Sequence, residues 1–103
     1  MHVKASSQFE KALDNILSCG RDVYSERIIK QFYFEYKRYR ILLSSQPLMG
    51  SVEQMLVNRQ FEYRKIVIKP FFKIIYCVVD ECVCLVDIWD TRRTPDVLSK
   101  GIV

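Results

Sequence analysis

Seven side chains in the second half of the sequence could act on an anion, and six of them are cations. In chain order they are Arg64, Lys65, Lys69, Lys73, Tyr76, Arg92 and Arg93. Guanidinium and ammonium groups can hold a phosphate backbone and, in a cleft, stabilise the charge of a phosphodiester transition state. The same groups pair equally well with carboxylates of an acidic protein. The residue types alone therefore leave a nucleic-acid target and a protein partner both open.

The positive charge is concentrated in one segment. Residues 58–73 hold five basic residues and one acidic residue, so their net charge of +4 equals that of the whole chain. A charge run of this kind is either a solvated face or a face for an anion or an acidic partner. Because side chains alternate along a strand, Arg64 and Lys65 should point to opposite sides, as should Lys73 and Tyr76. At most half of the cations then share one face.

Several kinds of chemistry are excluded by composition. His2 is the only histidine, which argues against Ser-His-Asp catalysis, Cys-His catalysis and most zinc sites. The three glycines form neither a Walker loop nor a dinucleotide fingerprint, so we expect no metal and no cofactor. The four cysteines lack the spacing of a disulfide scaffold and are expected to be buried thiols in a reducing compartment. The remaining acids of the second half are interpreted as structural or solvated: Asp80, Glu81, Asp87 and Asp90.

Three consecutive strands must position these residues. Phe61–Ile68 begins with alternating apolar and polar residues, as a strand does. It ends at Lys69-Pro70, because proline cannot donate a hydrogen bond to a sheet ladder. Phe71–Val79 and Cys82–Trp89 are almost wholly apolar and flank the Asp80-Glu81 pair, which predicts a hairpin. Strands this apolar have both faces covered, or one face covered and the other occupied by a partner.

The first half of the chain predicts the helical cover. Ser7 and Glu10 have capping-box spacing ahead of a helix that Gly20 would end. A second helix is expected from about Ser25 to about Ser44, and the two should form an antiparallel hairpin whose apolar stripes cover one face of the sheet. The stripes are Phe9, Ala12, Leu13, Ile16 and Leu17, then Ile28, Phe32, Tyr36, Tyr39 and Leu43.

The shorter segments carry weaker signals. Val3–Ala5 is either an edge strand or the approach to the first helix, and Val52–Leu56 could hold a short helical turn. Gln46–Gly50 breaks the second helix and turns the chain. The aromatic residues between Tyr24 and Tyr39 could stack on bases, but their helical spacing favours a place in the core.

These elements predict a single domain over residues 1–103, of α+β class, with an N-terminal helical hairpin packed on a small antiparallel sheet in β-α-α-β-β-β order. No apolar run approaches the roughly 18 residues that span a bilayer. The sequence opens with no charged-then-apolar leader. We therefore expect a soluble cytoplasmic protein that does not associate with a membrane.

Four motifs, in the same order along the chain, resemble those of the RelE/ParE toxin superfamily, the toxins of type II toxin-antitoxin modules also called plasmid stabilisation proteins. The first follows the second helix, the next two lie on the predicted strands and the last ends the third strand. They are Gln46-Pro47-Leu48-Met49-Gly50, Tyr63-Arg64-Lys65-Ile66, Phe72-Lys73-Ile74-Ile75-Tyr76-Cys77-Val78 and Trp89-Asp90-Thr91-Arg92-Arg93-Thr94-Pro95. The resemblance extends from about Val3 to Leu98.

The resemblance implies a growth-inhibiting toxin that a cognate antitoxin neutralises by wrapping it, and thus a hetero-oligomer with that antitoxin. RelE-like members of the family cut messenger RNA in the ribosome. ParE-like members poison DNA gyrase and are not nucleases. Lys65, Lys73 and Arg93 match positions where the ribonuclease members keep basic groups.

The end of the chain departs from the ribonuclease pattern. After Arg93 the sequence contains neither a tyrosine nor a histidine, so the residue that would carry a proton to or from the ribose hydroxyl is missing. The Arg-Arg-x-Pro ending also looks closer to the ParE-like branch. The leading hypothesis is a ParE-like toxin that binds its target. The alternatives are a ribosome-dependent endoribonuclease using Lys65, Lys73 and Arg93, and an inactive family member that only binds a partner.

Overall fold

The computed structural model describes residues 1–20, 24–56 and 60–91. The chain begins with strand β1 (His2–Ala5), followed by helices α1 (Ser7–Cys19) and α2 (Glu26–Ser45). Next come strand β2 (Ser51–Val52) and a 3-10 turn (Gln54–Leu56). Strands β3 (Tyr63–Ile68), β4 (Phe72–Val79) and β5 (Cys82–Asp90) complete the described fold. The predicted α+β class and element order are confirmed.

Each helix begins at a serine cap. The Ser6 hydroxyl accepts a hydrogen bond from the Phe9 amide at 3.0 Å and donates to the Val86 carbonyl at 3.0 Å. The cap of α1 is therefore Ser6 and not the predicted Ser7, because only Ser6 satisfies a helix amide and a strand carbonyl together. Ser25 caps α2, since its hydroxyl accepts a hydrogen bond from the Ile28 amide at 3.2 Å. The first helix ends before Gly20 as expected.

The sheet has five strands in the order β1-β5-β4-β3-β2. The β2–β3, β3–β4 and β4–β5 pairings are antiparallel. Strand β1 pairs with β5 in parallel, so the first and last strands of the described residues are neighbours. The Val3–Ala5 segment is thus an edge strand. Asp80 and Glu81 form the β4–β5 turn with positive φ at both positions, as a type I′ turn requires, although neither is glycine.

The helices cover one face of the sheet. Phe9 of α1 and Phe32 and Tyr36 of α2 pack there on apolar side chains from β3, β4 and β5. The aromatic stripe is accordingly core at Phe32 and Tyr36, whereas Tyr33 and Phe34 are exposed. No helix within the described ranges combines the length and apolar character that crossing a bilayer requires.

A bulge in β5 sets which residues reach the opposite face. Ile75 is paired with Asp87 and Tyr76 with Leu85, so Val86 is the extra residue. The bulge allows Leu85 and Ile88, three positions apart, to face the helices together. Trp89 consequently falls on the face turned away from the helices, which we call the outer face.

Candidate functional site

Lys65 and Lys73 meet on the outer face. Lys65 is on β3 and Lys73 on the neighbouring strand β4, which is antiparallel to it. Both ammonium groups approach the carboxylate of Glu53, which lies between β2 and the 3-10 turn. Two of the seven predicted residues are thus brought together, by an acid that no pattern in the sequence marked as part of a site. We call Glu53, Lys65, Lys73 and Trp89 the outer-face cluster.

Glu53 is buried, with 2% of its surface exposed. Its Oε2 atom lies 3.0 Å from Lys73 Nζ and 3.6 Å from Lys65 Nζ, and its Oε1 atom accepts a hydrogen bond from Lys73 Nζ at 3.1 Å. Among the described residues no donor is well directed at Oε2, so that oxygen is held by ion pairing rather than by a hydrogen bond. A carboxylate this buried needs cations beside it, and the two lysines supply them.

Backbone contacts fix the position of Glu53. Its amide donates to the Tyr63 carbonyl at 2.8 Å, which continues the β2–β3 pairing by one residue. Its carbonyl accepts from the Leu56 amide at 3.1 Å within the 3-10 turn. Leu56 then packs over Tyr63 and Trp89 in the apolar cluster of the outer face. The 3-10 turn therefore places both the Glu53 carboxylate and the apolar Leu56 side chain on the outer face.

Trp89 supports the second lysine. Lys73 and Trp89 are directly opposite on β4 and β5, and Lys73 Nζ lies 5.0 Å from the centre of the indole ring, a cation–π distance. The indole Nε1 donates to Asp87 Oδ2 at 3.1 Å, and Gln8 Nε2 of α1 donates to the same oxygen at 2.9 Å. Asp87 thus orients the ring on which the lysine rests, which is a structural role of the kind expected for it.

The outer-face cluster is less cationic than the sequence suggests. Two lysines and one glutamate leave a net charge of +1, and the side chains of Lys73 and Lys65 are only 12% and 28% exposed. An incoming phosphate would have to compete with a carboxylate that already contacts both ammonium groups. As described, the cluster stabilises the outer face and presents limited positive charge to a partner.

Arg64 and Tyr76 point to the helix side, as the alternation predicts. Arg64 donates to the Gly50 carbonyl at 2.7 Å and to Glu62 at 2.8 Å. The Tyr76 hydroxyl accepts from the Gly50 amide at 2.9 Å and is fully buried, and this burial raises the pKa of Tyr76. Tyr76 was predicted to bind a target, but a side chain with no accessible surface cannot contact one. Its role here is to hold the turn before β2.

The other predicted residues lie elsewhere. Lys69 is exposed in the turn that follows β3. Arg92 and Arg93 lie outside the described residues, so their predicted role stays a prediction. His2 is on β1, three strand spacings from β3, or about 14 Å from the strand of Lys65. The one imidazole is therefore separated from Lys65 by the two intervening strands β5 and β4.

In the part of the chain that is described, the cysteines are free thiols as predicted, but only one of the three is buried. Cys77, Cys82 and Cys84 are free; Cys77 is buried and the other two are half-buried. Cys77 and Cys84 are directly opposite on β4 and β5. Within residues 1–20, 24–56 and 60–91, no three His, Cys, Asp or Glu side chains come together in a way that could hold a metal ion.

Cys77 should be almost unreactive toward alkylating reagents at pH 8. Burial, reinforced by the neighbouring thiols Cys84 and Cys82, raises the pKa of Cys77 to about 11, so the thiolate that reacts is scarce well above neutral pH. Iodoacetamide treatment followed by peptide mass spectrometry would measure this, since cleavage after Glu81 separates Cys77 from Cys82. Cys82 is the internal control and should be modified first. Equal modification of the two in the folded protein would contradict the prediction.

Comparison with known proteins supports the fold. No family model matches the sequence, and no curated protein matches it. Among solved structures, the fold is similar to that of a metal-bound toxin from Helicobacter pylori, with a TM-score of 0.55 and 18% sequence identity. The alignment covers 87% of this chain and 93% of the H. pylori chain. At this identity the likeness establishes a shared fold over nearly the whole of both chains.

Proposed function

We propose that this chain is the toxin of a type II toxin-antitoxin module, of ParE-like type. It inhibits growth by binding an essential target such as DNA gyrase, and a cognate antitoxin neutralises it. The observation that carries the proposal is the fold shared with the H. pylori toxin over 87% of this chain. The four motifs that resemble the RelE/ParE superfamily support it independently of that comparison.

The geometry of the outer-face cluster favours binding over cleavage. Glu53 neutralises one of the two lysine charges and is itself buried, so it is poorly placed to exchange a proton with a ribose hydroxyl. The histidine on β1 is too far from Lys65 to take that role. The sequence after Arg93 also lacks a tyrosine or histidine that could do so.

The alternative function is that of a ribosome-dependent messenger RNA endoribonuclease. One observation favours it: Lys65 and Lys73, two of the basic positions shared with ribonuclease members, lie within 3.6 Å and 3.0 Å of one carboxylate oxygen. Two ammonium groups this close together could stabilise a pentavalent phosphate if Glu53 moved aside. Arg93 would be the third cation. A family member that binds an antitoxin without inhibiting growth is the remaining alternative.

Growth of cells that express this chain alone tests the proposal. The native chain should arrest growth, and the double substitution Arg92→Ala, Arg93→Ala should relieve the arrest by at least about tenfold in colony counts, because these guanidinium groups are expected to contact the target. A matched control removes two exposed cations of the helices, Lys11→Ala and Arg27→Ala, and should remain toxic. Soluble native protein that causes no arrest would favour the binding-only alternative.

Purified components separate the two toxic mechanisms. In the proposed mechanism, the chain inhibits DNA supercoiling by gyrase and leaves messenger RNA intact on ribosomes. Cleavage of message in the ribosomal A site, lost in the Lys65→Ala, Lys73→Ala variant, would contradict the gyrase proposal and support the ribonuclease.

A further inference from the structure

A groove of about 580 Å³ runs between the edge strand β1 and helix α2. Its walls come from Val3 on the strand and from a helical stripe on α2 that includes Tyr33, Tyr36, Lys37 and Ile41. These helix positions recur at three- and four-residue spacing, so they form a continuous row along one side of α2. The groove lies at the sheet edge opposite to β2 and is separate from the outer-face cluster.

The surface along this groove is unusually apolar for exposed helix positions. Ile41 is 72% exposed, and Phe34, seven residues before it and so on the same side of α2, is 68% exposed. Neither residue contributes to the core on the helix side of the sheet. By contrast, Phe72 and Trp89, which could have formed an apolar surface on the sheet, are buried. Ile41 and Phe34 are thus the two most exposed large apolar side chains of the described residues, and both lie on α2.

The charges around the groove have one sign. Lys37 lies over the ring of Tyr33, with Nζ 5.3 Å from the ring centre. Arg40 is held at the base, where it donates to the Tyr36 hydroxyl at 2.6 Å and to the Val3 carbonyl at 3.5 Å. No aspartate or glutamate is among the described residues that line the groove. The nearest acid of this helix segment, Glu35, lies on the other side of α2 and pairs with Arg38.

We propose that this groove binds an acidic amphipathic segment of a partner protein. Apolar side chains of the segment, spaced three and four residues apart, would pack on Tyr33 and Ile41, and carboxylates beside them would pair with Lys37 and Arg40. Such a segment matches both properties of the surface, its exposed apolar row and its uniform positive charge. The identification of that partner as the antitoxin rests on the proposed function; the binding site itself does not.

Selection from a displayed library of amphipathic helical peptides tests the site without any assay of toxicity. The bait is the full chain, immobilised through a C-terminal tag so that β1 stays accessible. Peptides enriched on the native chain should be acidic beside their apolar row. Their affinity, measured by fluorescence anisotropy, should fall at least about tenfold for Ile41→Glu and for Lys37→Glu.

Matched controls place the same changes outside the groove. Leu48→Glu introduces a carboxylate at another exposed apolar position, and Lys11→Glu reverses an exposed cation on α1. Both should keep the native affinity. All four positions are exposed, so the variants are expected to fold, which circular dichroism would check.

Three results would overturn the proposal. The first is enrichment of basic or neutral peptides. The second is enrichment of peptides whose affinity is unchanged by Ile41→Glu and by Lys37→Glu. The third is the absence of any enriched peptide. Concentration-dependent dimerisation that Ile41→Glu abolishes would instead assign the groove to a second copy of this chain. Because none of these readouts requires growth arrest, failure of the groove and failure of the toxin proposal can be told apart.

Discussion

Replacing Glu53 with alanine should lower the free energy of unfolding by about 3 kcal/mol, the lower end of the range for breaking a buried ion pair. The substitution leaves Lys73, whose side chain is 12% exposed, without the carboxylate that balances its charge. Lys65 loses the same partner but is more accessible to water, which moderates the effect. Removal of the side chain also takes away an acceptor for the Met55 amide at 3.4 Å.

Urea denaturation followed by Trp89 fluorescence would measure this change, because Trp89 is the only tryptophan and rests against Lys73. The matched control is Glu62→Ala. Glu62 pairs with Arg64 at 2.8 Å, but its side chain is 61% exposed, so its removal should cost less than about 0.5 kcal/mol. Equal losses for the two variants would show that the outer-face cluster contributes no more than a surface ion pair.

Replacing Gly50 with alanine should destabilise the fold by about 3 kcal/mol, the upper part of the range for an overpacked core. An added Cβ would lie 2.5 Å from the Lys65 carbonyl oxygen and 2.8 Å from the Tyr76 hydroxyl. The first neighbour is backbone of β3 and cannot move without disturbing the sheet. Relief of the contact would also strain the hydrogen bond from the Gly50 amide to Tyr76 and the bond from Arg64 to the Gly50 carbonyl.

Gly20→Ala is the matched control. A Cβ there would approach the Ile29 side chain at 2.8 Å, but that contact is with the terminal methyl group of a flexible side chain, which can rotate away. The backbone of Gly20 is in the right-handed helical region, which alanine adopts freely. We expect a cost below about 1 kcal/mol in the same urea titration. If Gly50→Ala lowers the free energy of unfolding by no more than Gly20→Ala does, the turn before β2 can shift to accommodate the added Cβ.

The order and approximate bounds of the main elements follow from local patterns in the sequence. The β4 and β5 strands were predictable because two apolar runs flank a single polar pair, and the structure confirms the turn at Asp80 and Glu81. The placement of Arg64 and Lys65 on opposite faces of the sheet followed from strand alternation alone. The parallel pairing of β1 with β5 was not predictable, since a strand of four residues carries too little pattern to identify a partner so distant in the sequence.

The outer-face cluster was only half predictable for a physical reason. Lys65 and Lys73 were identified as cations on neighbouring strands, but the burial of Glu53 depends on a turn whose sequence has no strong signal. The position of Trp89 depends on the bulge at Val86, which shifts the alternation of β5 by one residue. Tyr76 was assigned to a binding surface because its burial is set by the helices, which the strand sequence alone does not reveal.

The pairing of β1 with β5 has a consequence for how the protein folds. The Ser6 hydroxyl donates a hydrogen bond to the Val86 carbonyl across 80 positions of the chain. Strand β1 therefore cannot join the sheet until β5 is available. Contacts this far apart in sequence raise the entropic cost of the folding transition state and slow folding. During synthesis, the β1–β5 pairing and the Ser6–Val86 hydrogen bond can therefore form only after β5 has been made. A nascent chain truncated before β5 would have neither a finished sheet nor an assembled outer face.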